Sequence, residues 1–127
     1  MLRSGVAVAA EWNKRGFEAR GVTEALAAIN AAGAVPSKGI QLIVPDIAAD
    51  GRDVLVFVVS KIANTQMISV IVEGNTTPLA FTVNLLKGVE PTVSIRVKIR
   101  KTCKVRVVVQ AAGQTHWVAK EVKVANA

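Results

Sequence analysis

The sequence contains no tyrosine, one histidine and one cysteine, and aromatic residues make up only 4% of it. Each scarcity removes a class of chemistry. A single cysteine excludes an internal disulfide and a multi-cysteine zinc site. A single histidine, His116, excludes the usual zinc and non-haem iron ligand sets, and any Ser-His-Asp or Cys-His-Asn centre would have to use it. His116 lies between the Gly113 turn signal and Trp117, a place suited to a surface or edge histidine. No GxGxxG or GxxxxGK[ST] run offers a phosphate cradle. Asp46, Asp50 and Asp53 share one loop, but their spacing is not that of an EF-hand and no terminal glutamate follows, so Asp50-Gly51 reads as turn chemistry. No catalytic residue, metal or cofactor is therefore expected. Long apolar runs are absent too: none approaches the roughly 18 residues that span a bilayer. The apolar stretch at 6–10 is shorter than the roughly 7–15 residues of a secretory signal. The expectation is a soluble chain with no targeting segment in this numbering, although a signal removed earlier would leave no trace.

What the chain has in quantity is aliphatic residues and positive charge. Its 127 residues suit one domain, with a helical segment at 1–36 and a β-rich segment at 37–127. At this size roughly two-thirds of the unfolded surface can be buried, and the 51% hydrophobic content, mostly Val, Ile and Ala, argues for an aliphatic core and against disorder. The net charge of +7 favours anionic partners such as nucleic acid, a membrane surface, an acidic protein or a small anion.

The most ordered pattern runs through 88–109. Ile95, Val97 and Ile99 alternate with Arg96, Lys98 and Arg100, and Val105, Val107 and Val109 alternate with Lys104 and Arg106. A period of two is the signature of half-buried strands, here with one aliphatic and one basic face. Such a face suits phosphates, but single-strand binders add aromatic stacking platforms, and this stretch contains none; the weight falls on a solvated face rather than on nucleic acid. Between the two runs stands Cys103, flanked by Lys101 and Lys104. Neighbouring cations favour a reactive thiolate, whereas most unpaired cysteines are small buried hydrophobes.

Elsewhere the chain reads as helix, then strands. Val6, Ala10, Trp12 and Phe17 suggest a first helix; Thr23 is placed to cap a second, with Glu24 in its first turn, Ala25, Leu26 and Ile29 on its buried face and Gly33 as its stop. Residues up to Pro36 form a linker. Seven strands follow at 39–44, 53–60, 67–73, 79–85, 92–100, 104–111 and 115–124, separated by turn signals. No helices intervene to act as parallel crossovers. The fold class expected is all-β, an immunoglobulin-like antiparallel β-sandwich of about seven strands with one or two N-terminal α-helices. The helices must pack on a flank of the sandwich or on a partner, and uncovered edges and faces imply a homo-oligomer when no partner is present.

Four segments, KGIQLIVPDIAADGRDVLVFV, VIVEGNTTPLA, GVEPTVSIRVKI and WVAKEVKV, together resemble the SoxY sulfur-carrier family of bacterial thiosulfate oxidation, in order and spacing. The resemblance implies an immunoglobulin-like sandwich, a periplasmic location, pairing with a SoxZ-like subunit and service to the enzymes of the Sox pathway. It also implies that sulfur intermediates ride on a cysteine in a C-terminal Gly-Gly-Cys-Gly-Gly arm, which glycines make flexible. This sequence ends Ala125-Asn126-Ala127, so that carrier residue has no counterpart. The chain is then trimmed at its ends, or lacks the carrier role, or uses Cys103 as a weak substitute. The last option has a geometric basis: if 92–100, 104–111 and 115–124 are successive antiparallel strands, Cys103 and the chain end share one pole. The alternatives to a carrier or scaffold subunit are an interaction module of the same fold without sulfur chemistry, and an anion- or nucleic-acid-binding domain using Arg96, Lys98, Arg100, Lys104 and Arg106.

Overall fold

The computed structural model describes residues 17–18, 20–29 and 33–125. Most of the first helix expected from the sequence lies outside these residues. Among them, one short helix, α1 (Val22–Ala28), precedes nine strands. These are β1 (Val35–Pro36), β2 (Ile40–Ile43), β3 (Ile47–Ala48), β4 (Val54–Ser60), β5 (Thr65–Val72), β6 (Leu79–Asn84), β7 (Thr92–Val97), β8 (Cys103–Ala111) and β9 (Gln114–Val124). They form two sheets. The larger has the order β1-β9-β8-β5-β6, with β3 also on β9, and the smaller has the order β2-β4-β7. All seven expected strands are present, and the architecture is the all-β sandwich expected.

The main core lies between the sheets. Val54, Val56 and Val58 of β4 face Ile68, Val70 and Val72 of β5 and Val105, Val107 and Val109 of β8. In β4 the period of two survives, with inward residues buried and Leu55 exposed. In β5 it does not: from Met67 to Val72 every residue is buried. The cause is a second apolar layer on the outer face of the large sheet, where Ala25 and Ile29 pack on Met67, Ile71, Leu79 and Val108. A strand covered on both faces reads as a continuous apolar run, which is the sequence MISVIV. Two buried or half-buried hydroxyl pairs keep polar atoms satisfied within this region: Ser69 with Thr82 at 2.8 Å and Ser60 with Thr65 at 2.7 Å.

The helix ends differ from expectation. The N-cap is Gly21, in extended conformation and without a side-chain cap, rather than Thr23, and the C-cap is Ile29 rather than Gly33. Glu24 does occupy the first turn, where its carboxylate accepts the Arg20 N–H at 3.2 Å. The Gln110 side chain donates to the Ile29 carbonyl at 2.9 Å, so a strand residue supplies the partner that a terminal glycine motif would otherwise provide. Sequence-local capping rules could not anticipate a donor 81 residues away.

Two short strands were not expected. β1 and β3 run parallel to β9, pairing at His116–Trp117 and at Lys123–Val124 respectively. β1 thus falls in the expected linker and includes Pro36. Edge positions tolerate proline because no ladder N–H is demanded on the open side. The hairpin joining β8 and β9 is a two-residue turn, Ala112-Gly113, with φ of 51° and 79°, the left-handed pair that matches strand twist.

The strands of the 88–109 pattern are consecutive but not neighbours. β7 pairs with β4 in the small sheet, and β8 pairs with β5 and β9 in the large one. Residues 98–102 carry the chain across. The crossing is tight at Gly51, whose carbonyl accepts the Ile99 N–H at 2.6 Å. A Cβ on Gly51 would collide with the Ile99 carbonyl and lie 3.0 Å from Val124. Gly51→Ala is therefore expected to destabilise the fold by about 1–3 kcal/mol, whereas Gly33→Ala, with open space around it, should change little; urea unfolding of both variants checks this.

Candidate functional site

Cys103 and the crossing segment at 98–102 lie at one pole of the sandwich. β7 ends there, β8 begins there with Cys103, and β9 ends there with Val124; Cys103 lies opposite Val122 in the ladder. The pole is closed by hydrogen bonds between segments remote in sequence. Asn75 donates from Nδ2 to the Lys98 carbonyl at 2.8 Å and accepts the Arg100 N–H at 3.1 Å. Thr102 Oγ1 accepts the Val124 N–H at 2.9 Å. The Lys123 and Ala125 N–H groups donate to the Asp46 and Ala48 carbonyls at 2.9 and 3.0 Å. The Glu73 N–H donates to the Lys104 carbonyl at 3.0 Å.

Cys103 is half-buried in this framework. Its Cβ and Sγ would each stand 2.9 Å from a Cβ placed on Gly74, so the hairpin backbone passes directly over the sulfur. Burial pushes the thiol pKa up, and the Glu73 charge adds to the rise; the Gly74 N–H and the Lys101 charge act in the opposite direction. The cationic help expected from Lys101 is thus present, but desolvation outweighs it. A thiol so placed holds less thiolate than an exposed one at the same pH.

The five basic candidates do not form one surface. Arg96 lies on the outer face of the small sheet, opposite Leu55, and pairs with Asp53 at 3.3 Å with its side chain 63% exposed. Arg106 belongs to the large sheet. It bonds Glu73 at 2.7 Å, is 23% exposed, and stacks its guanidinium 4.5 Å from the Trp117 ring centroid. Lys104 stands opposite Glu121. Lys98 and Arg100 flank buried Ile99 on the crossing segment. The single basic face expected from alternation is corrected here: a period of two assigns residues to the two faces of a strand, but the crossing at 98–102 places the two strands in opposite sheets.

Other expected features are distributed as follows. His116 is half-buried within β9, paired with Val109 on one side and Val35 on the other. Asp50 is held by Arg52 through side-chain bonds of 3.2 and 3.3 Å and accepts its N–H at 2.9 Å, which lowers the Asp50 pKa. Among the described residues no group of three or more His, Cys, Asp or Glu could hold a metal ion. No described helix is long and apolar enough to cross a membrane. Sequence reasoning missed the roles of Glu73, Asn75 and Trp117, because each depends on a partner in another element.

Residues 26–127 match the family model described as sulfur oxidation protein SoxY. The chain belongs to the SoxY family. A solved structure of the sulfur carrier protein SoxY from Chlorobium limicola f thiosulfatophilum is similar at 34% identity and a TM-score of 0.73, over 81% of this chain and 94% of that one. Superoxide reductase (neelaredoxin) from Ignicoccus hospitalis shares the fold at a TM-score of 0.59, with 16% identity over 67% of this chain and 79% of that one. No curated protein matches the chain. Within the SoxY frame, the quoted segment VIVEGNTTPLA includes Glu73, Gly74 and Asn75, and the geometry gives those residues their work: one pairs with Arg106, one accommodates Cys103, and one locks 98–100.

Because its pKa is raised on folding, Cys103 should hold less thiolate in the native than in the unfolded chain. At pH 8, alkylation by iodoacetamide is expected to be slower in the native protein than in the denatured one. The associated stabilisation is present below the unfolded thiol pKa and is lost as pH rises through the higher native one. Equal native and denatured rates, followed by mass spectrometry, would contradict the burial of this thiol.

Proposed function

We propose that this chain is the body of a periplasmic, non-catalytic sulfur carrier, which docks partners and presents covalently bound sulfur intermediates to the enzymes of thiosulfate oxidation. The observation that carries the reading is the family match over 26–127. The exit of β9 at the Cys103 pole supports it, since an arm following Val124 would leave the body from a rigid, hydrogen-bonded end. Residues through Ala127 include no cysteine after Cys103, and Cys103 is covered by the Gly74 backbone with a raised pKa. In this reading the cargo rides on a residue other than Cys103. The test uses the protein as it occurs in cells, incubated with thiosulfate and the partner enzymes. Intact-mass spectrometry should show sulfur-containing adducts that persist in Cys103→Ser. Adducts abolished by that substitution would make Cys103 the carrier, and no adducts at all would favour an interaction module without sulfur chemistry.

The docking surface for the SoxZ-like subunit in this reading is the outer face of the small sheet. Ile43 and Leu55 are 49% and 45% exposed there, beside half-buried Phe57 and Val59. Ile43 is opposite Phe57 in the ladder, so the apolar side chains are contiguous across two strands. Surfaces of this kind mark interaction sites. The Arg96–Asp53 pair at its border is charge-neutral and leaves the apolar stripe to dominate. Leu55→Glu should weaken association with the SoxZ-like subunit at least about tenfold without altering circular dichroism. Light scattering of the chain alone should show self-association that the same substitution reduces; unchanged complex formation would exclude this face.

A further inference from the structure

The pole carries a cleft of roughly 460 Å³ between the turn at 49–52 and the crossing segment, lined by Ala49, Asp50, Gly51, Arg52, Lys98, Ile99 and Arg100. Its volume falls within the range of small-ligand sites. Three cations and one carboxylate line it, and the carboxylate is already engaged: Asp50 is bound by Arg52. Lys98 and Arg100 differ in this respect from Arg96 and Arg106, each of which has an acidic partner. Among the described residues neither Lys98 nor Arg100 has an ion-pair partner.

Their positions are fixed by the backbone rather than by each other. Asn75 clasps the segment at the Lys98 carbonyl and the Arg100 N–H. The Ile99 N–H is tied to the Gly51 carbonyl, and the Ile99 side chain is buried at 2% exposure. In an extended segment with Ile99 inward, Lys98 and Arg100 project to the same outward side. Two like charges thus project to one side of the segment, beside Arg52, whose own charge Asp50 balances, and an anion would relieve their repulsion. A lysine offers a point charge and an arginine a planar fork, a combination suited to the several oxygens of a tetrahedral oxyanion.

We propose that this cleft binds a sulfur oxyanion, its sulfonate or sulfate oxygens received by Lys98 and Arg100 with Arg52 at the rim. The choice of sulfur among oxyanions rests on the carrier reading above; the cleft itself rests on the geometry. The last described residues bear on its use. Ala125 is bonded to Ala48, immediately before the lining residue Ala49, so the chain leaves the sandwich alongside the cleft. The oxyanion has two possible sources, a free dianion or the sulfonate end of a group tethered through sulfur.

The test is a two-dimensional NMR titration of the isolated chain with sodium sulfate, sodium thiosulfate and S-sulfocysteine. It is run at fixed low ionic strength against sodium chloride, since screening at higher salt would mask an exposed site. Saturable shifts are expected at the amides of Gly51, Arg52, Ile99 and Arg100. The double variant Lys98→Gln/Arg100→Gln should weaken binding about tenfold or more. Lys61→Gln/Lys87→Gln, which removes the same charge at the opposite pole, should leave affinity unchanged. Tighter binding of S-sulfocysteine than of sulfate identifies the tethered source, and the reverse identifies the free dianion. Non-saturating shifts, shifts spread over all basic residues, or equal losses in the two double variants would overturn the proposal. Because the readout is non-covalent, it can fail while the adduct experiment succeeds, and the converse.

Discussion

The burial of β5 and β8 on both faces is the constraint on which the rest of the structure depends. Their inward valines and isoleucines meet the small sheet, and their outward residues Met67, Ile71 and Val108 are covered by α1. Apolar burial is the dominant favourable term in folding, and a chain with few aromatics must obtain it by layering aliphatic side chains. A helix on one face and a three-stranded sheet on the other achieve this. Among the described residues the small sheet, by contrast, is covered on one face only, which leaves Ile43 and Leu55 exposed. The proposed partner surface is that uncovered outer face of the small sheet.

The second organising feature is the crossing at 98–102. It moves the chain from one sheet to the other within five residues, and its backbone polar groups need partners. Asn75, Gly51 and Thr102 supply or anchor those partners. The same interlock covers Cys103, aligns Lys98 with Arg100, and fixes where β9 leaves the body. Stability and the chemistry of the pole are thus produced by one set of hydrogen bonds. Arg106 illustrates the same economy: its guanidinium bonds Glu73 and stacks on Trp117, joining the β5–β6 hairpin to β9 through a charge that the sequence pattern assigned to open solvent.

The sequence by itself determined the strands, their class of fold and the family. Strand existence is a local property, set by β-branched residues, alternation and turn chemistry, and the expected segments agree with the observed ones to within a few residues. Family membership follows from the order of four such segments, which needs no coordinates. Tertiary structure alone decided which sheet each strand joins, and with it the fate of every candidate residue. Alternation distinguishes the two faces of a strand, but it carries no information on the neighbours of that strand. For that reason Arg96 and Arg106, ten positions apart in one apparent basic stripe, ended on opposite outer faces. For the same reason the lysines beside Cys103 suggested a reactive thiol, while the backbone of a hairpin some thirty residues earlier desolvated it. Burial and charge pairing are properties of segments brought together across the chain, and they can be read only where those segments meet.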